Sequence, residues 1–184
     1  MRHFNTTGPM RKDDHYCIDP LSRWKLDDVL SLIEQKKYFI LHAPRQTGKT
    51  SSLLTLRDKL NAEGKYFAVY INVEAAQIAG DNVDEAMNTI VSELLDRVIK
   101  LDVKGINFFE TLEYSSKVSG QNRLNHMLGF LSRQINKNIV LFIDEIDALQ
   151  GRSLISVFRQ LRAGYDDRLA GYRNNRAGRR FGSQ

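Results

Sequence analysis

Two apolar runs in this chain each stop at a polar cluster, and that pattern constrains its fold more than any other feature. The run Asn138-Ile-Val-Leu-Phe-Ile ends at Asp144 and Glu145. An unbroken apolar stretch such as Ile139–Ile143 suits a strand covered on both faces in a parallel sheet, and Ile and Val favour strand over helix. The earlier run, Tyr38-Phe-Ile-Leu-His42, opens into Ala43-Pro-Arg-Gln-Thr-Gly48-Lys49-Thr50. Ser51–Leu60 follows as a helix whose Leu53, Leu54, Leu56 and Leu60 can pack on a sheet. Strand, glycine turn and helix in that order read as part of an α/β layer structure.

The turn has the chemistry of a phosphate loop. Phosphate oxygens need converging backbone N–H groups, a positive charge and a hydroxyl for a metal ion. Glycine permits close backbone approach, and the N-terminal end of the next helix is positive. In this pattern Gly48 gives the approach, Lys49 reaches the β- and γ-phosphates, and the Thr50 hydroxyl sits on Mg²⁺. Ala43, Pro44, Arg45, Gln46, Thr47 and Ser51 complete the loop. Ala43 stands where G-x-x-x-x-G-K-[ST] has its first glycine, so its backbone is expected in an ordinary region rather than at positive φ.

Asp144 falls where its strand stops, at the edge where α/β ligands bind, and suits a Mg²⁺ held through water. Glu145 beside it suits a group that orients or deprotonates an attacking water. The expected site thus has Glu145 and Lys49 as catalytic groups and Thr50 and Asp144 at the metal. A metal-binding pattern is absent around His42 and His126, which read as structural.

On three stretches the chain resembles the prokaryotic AAA-like ATPases, relatives of AAA+ and STAND NTPases. These are His15-Tyr-Cys-Ile-Asp-Pro20 with Arg23, the loop Ala43–Thr50, and Leu141-Phe-Ile-Asp-Glu-Ile-Asp147. Ser153–Tyr165 is also similar to the helix that follows the acidic strand in that family. The resemblance extends from the start to about Asp167. It implies a P-loop three-layer sandwich with a mostly parallel sheet, ATP with Mg²⁺, and conformational work on a partner. It also implies that the His15–Pro20 stretch lies near the adenine, and that sites are completed between subunits of a homo-oligomer.

In the resembled family two more strands follow, one of them lying between the phosphate-loop strand and the acidic strand. This chain offers no such strand. After Tyr165 the sequence turns to glycine and arginine, with five arginines and no acid from Arg168 to Gln184. Such a tail cannot form a buried strand. The expectation is a P-loop core over 21–167 that lacks its C-terminal strands, cut short or read out of frame near Leu169. The alternative is a minimal variant whose first and third strands pair directly. An extended lead-in over 1–20 and a basic, disordered tail over 168–184 flank the core.

The remaining segments read simply. Ser22–Gln35 is a short amphipathic helix and Tyr66–Val73 a strand. A helix capped by Asp81 or Asn82 runs to about Leu101. Lys104–Ser119 reads as an irregular connection containing a short helix, and further helices start at Gln121 and Ser153. A single cysteine, Cys17, excludes an intrachain disulfide and fits a reducing cytoplasm. No apolar run approaches the length of a membrane span. The net charge of +5 and the arginine tail would suit nonspecific contact with nucleic acid. Arg159 and Arg162 read as surface or packing residues, with a trans-acting arginine finger as the alternative. Two readings besides an ATPase stay open: a non-hydrolysing nucleotide switch and a DNA-associated module. A kinase on the same loop is disfavoured by Glu145.

Overall fold

The computed structural model describes residues 18–44, 47–101 and 106–169. The expected lead-in (apart from Ile18–Pro20), the loop residues Arg45 and Gln46, and the tail beyond Leu169 lie outside these. The elements are α1 (Leu26–Glu34), α2 (Lys49–Glu63), β1 (Tyr66–Asn72), α3 (Val83–Lys100), α4 (Phe108–Ser116), α5 (Gly120–Ile135), β2 (Asn138–Asp144) and α6 (Gly151–Leu169). Short 3-10 turns span Pro20–Arg23, Glu74–Ala79 and Ile146–Ala148.

Strands β1 and β2 pair in parallel, with Tyr66 opposite Asn138 and Asn72 opposite Asp144. Side chains alternate across a strand, so β1 feeds two cores. Phe67, Val69 and Ile71 join the larger core with α3, α5 and α6, through Met87, Ile90, Leu94, Leu124, Leu131 and Val157. Tyr66, Ala68 and Tyr70 join the other core with α1 and α2, through Val29, Ile33, Leu53, Leu56 and Leu60. Helices thus cover both faces of the strand pair.

Local chemistry explains the helix starts. Asn82 caps α3 by accepting from Glu85 N at 3.2 Å, as expected, and Asn107 does the same for α4 from Glu110 N at 3.2 Å. The α6 start is held by the preceding turn: Arg152 N donates to Asp81 Oδ1 at 2.7 Å and Ser153 Oγ to Gly80 O at 2.5 Å. Buried Gln160 ties α6 to α5, donating to Gly120 O at 2.9 Å and accepting from Leu124 N at 2.8 Å.

The run Lys37–His42 departs from expectation. Among the described residues the sheet has two strands, and this run is in neither. Direct pairing of the first and third predicted strands is therefore also excluded. The physical reason lies in the unfilled slot. A strand needs a neighbour within hydrogen-bonding distance on at least one edge, and no described residue supplies a strand between this run and β2. Phe39 and Leu41 still pack partly against the second core, while Tyr38 and Ile40 face outward with 56% and 80% exposure. Tyr38 reaches α6 instead, its hydroxyl donating to Leu161 O at 2.7 Å. The same lack of a neighbour leaves β2, expected to be covered on both faces, only half-buried along Ile139–Leu141.

Candidate nucleotide site

Helix α2 starts at Lys49, directly after Gly48, whose φ of +81° is left-handed and suits glycine. Among the described residues a Cβ built on Gly48 would meet nothing within 4 Å. Gly48, at the N-cap, brings no side chain to cap the helix. The first turn of α2 therefore keeps the donor-rich, positive end that an anion needs. Ala43 is absent from the positive-φ residues, as its substitution for glycine predicts.

Two contacts brace this turn from the N-terminal side. Arg23 Nη1 donates to Thr47 O at 3.2 Å, and Ser52 Oγ donates to Pro20 O at 2.9 Å. Thr47 closes the loop on itself, its hydroxyl donating to Pro44 O at 2.8 Å. The Pro20–Arg23 turn is thus tied directly to the loop and its helix; of the His15–Pro20 stretch expected near the adenine, His15–Cys17 lie outside the described residues.

Asp144 is the hub of the site. Its side chain is 1% exposed and takes four donors. Lys49 Nζ lies 3.1 Å from Oδ1, and the Glu145 backbone N–H donates to the same oxygen at 3.1 Å. On Oδ2 the Thr50 hydroxyl donates at 2.7 Å and the Tyr70 hydroxyl at 3.0 Å. Residues 94 positions apart in the chain thereby meet. Glu145 itself has φ +56°, a conformation that costs a non-glycine residue energy and that clusters at functional sites.

The charges agree with this geometry. Burial pushes the Asp144 carboxyl upward, but hydrogen bonds from Thr50, Lys49 and Tyr70 and the Lys49 charge outweigh it, leaving the group below its ordinary range. Burial pulls Lys49 down, yet its bond to Asp144 and the charges of Asp144, Glu145 and Asp147 outweigh that, and its net shift is upward. Both groups stay ionised at neutral pH.

A model of the AAA domain family matches residues 33–176. The chain belongs to the AAA domain family. No curated protein and no solved structure matches it. The match begins after the Asp19–Arg23 turn and takes in the loop, both strands and α6. AAA domains are P-loop ATPases with an α/β fold, so the family carries nucleotide binding with it.

The residues at the hub fit a magnesium nucleotide. A hydroxyl and an ionised carboxylate face each other, a lysine stands beside them, and a helix start with glycine at its N-cap adjoins. Among the described residues no three His, Cys, Asp or Glu gather at one place, so these residues alone offer no complete metal cage. That is how a Mg²⁺ shared with phosphates and water is usually held. Two surface cavities of about 510 and 650 Å³ lie elsewhere. One borders Asn72, Asn88 and Glu93; the other borders Asp19, Trp24 and Lys25; neither includes Lys49 or Asp144.

Tyr70 is the functional candidate that sequence reasoning missed. It read simply as a strand-forming aromatic. Its link to Asp144 depends on the β1–β2 register, which places Tyr70 diagonal to Asp144 on the same face. A polar-tipped aromatic near the end of the strand beside an acidic strand is the signal that points to it. His126, read as structural, has its Nδ1 3.4 Å from the Tyr114 hydroxyl. No helix among the described residues is long and apolar enough to cross a membrane.

Proposed function

We propose that this AAA domain binds Mg·ATP at the Lys49–Asp144 hub and hydrolyses it, coupling the cycle to movement of a partner. The observation that carries the reading is the convergence of Lys49 and Thr50 on Asp144. In it Lys49 turns from Asp144 to the β- and γ-phosphates, and the Gly48–Ser51 backbone cradles their oxygens. Ala43, Pro44, Arg45, Gln46 and Thr47 form the rest of the loop. Thr50 and Asp144 hold the metal. Bound Mg²⁺ would neutralise phosphate charge and help fix the reacting phosphoryl group. Glu145, whose charge reaches Lys49, orients the attacking water and draws off its proton.

Glu145→Gln tests the division of labour. It should keep Mg·ATP affinity and lower turnover by about 10²–10⁴-fold, the usual contribution of a general base. Wild-type turnover in that variant would remove Glu145 from the chemistry.

A second reading, a non-hydrolysing switch, is favoured by one observation. Among the described residues the run into the loop has no strand partner, so the loop is less rigidly preset for the chemical step than for binding. Single-turnover assays separate the two: bound ATP that stays intact for hours in the wild type supports the switch.

A further inference from the structure

We infer that Tyr70 is a positioning residue for the metal site, holding the Asp144 carboxylate in place through its hydroxyl when the other side chains turn to the nucleotide. The inference rests on the Mg·ATP reading above. Asp144 has three side-chain partners in this structure, Lys49, Thr50 and Tyr70. In that reading Lys49 leaves for phosphate and Thr50 shares its oxygen with the metal. Of the three, Tyr70 alone has no second task.

Its setting suits the role. Tyr70 is 6% exposed, on a strand paired along its length with the strand that carries Asp144. Its ring packs in the core with Ala68 and Phe142, so the hydroxyl is fixed from behind. The 3.0 Å bond crosses from β1 to β2, tying the acidic residue to its neighbour strand rather than to the loop. A carboxylate at the end of a half-buried strand has several rotamers to choose from. One fixed donor on Oδ2 narrows that choice and leaves the other lone pairs for the metal's water shell.

The test is calorimetric titration of the full chain with ATP plus Mg²⁺ and with ATP plus EDTA, in wild type and Tyr70→Phe. The variant should lose about ten-fold in affinity with Mg²⁺, the loss typical of one hydrogen bond to a charged group. Metal-free ATP affinity should stay within about two-fold, since the Tyr70 hydroxyl meets Asp144 and Thr50, the two groups on the metal side, and not Lys49 or the loop backbone that faces phosphate. That split separates positioning of the metal ligand from general damage, which would weaken both titrations alike. Equal weakening in both, or no change in either, overturns the role of Tyr70. A wild type that binds ATP in neither condition overturns the nucleotide reading itself, and the Tyr70 role with it.

Discussion

Strand β2 delivers Asp144 through seven residues paired with β1, whereas the run leading to Gly48 delivers Lys49 with no ladder of its own. The two halves of the site are nevertheless in register to within a salt bridge. What locates the phosphate loop is the helix behind it rather than the segment before it. Helix α2 buries Leu53, Leu56 and Leu60 against β1, and Arg23 and Ser52 tie its start to the Asp19–Arg23 turn. A loop can therefore be placed by packing alone when its leading strand lacks a neighbour, though with fewer hydrogen bonds to stiffen it.

The contrast can be broken by substitutions on its two sides. Leu56, fully buried on α2, should be the costly one: Leu56→Ala removes packing and leaves a cavity, lowering stability by about 2–5 kcal/mol in urea denaturation. A smaller effect concerns the hub. Because the folded-state pKa of Asp144 is depressed, its contribution to stability is complete above the ordinary value of 3.8 and is lost as pH falls below it. Asp144→Asn lacks that titration, so the stability gap between wild type and variant should narrow as pH drops from 5 to about 2. A gap constant over that range would mean that Asp144 gains nothing from its donors. Ile40→Ala should have the smallest effect, within about 0.5 kcal/mol, as for an exposed residue outside any ladder. A loss there equal to that at Leu56 would show that the leading run, and not the helix, carries the loop.

Much of this arrangement was legible in the sequence because it is local. The apolar runs 66–73 and 138–143 became β1 and β2, and the Asn82 cap and the Gly48 turn follow from short-range chemistry. Asp144 ended its strand where the polarity changed. What was not legible depends on partners distant in the chain. Lys37–His42 has the composition of a strand, but a strand exists only where another supplies its hydrogen bonds, and the composition of the run itself does not show whether one does. The short helix expected within Lys104–Ser119 is there at Phe108–Ser116, but its bounds were not legible, because buried Thr111 and the Tyr114–Phe130 ring stack, with centroids 4.6 Å apart, stabilise it from outside. Tyr70 escaped notice for the same reason, since its task arises from cross-strand register.

The central claim is that Lys49 and Asp144 form one nucleotide site rather than a chance ion pair. Calorimetry of Mg·ATP on wild type and Lys49→Ala tests it most directly. Binding is expected in the wild type, with a loss of at least about 100-fold in the variant, as when a charged partner of a buried phosphate contact is removed. Equal Mg·ATP affinity in the two proteins, or none in either, would contradict it.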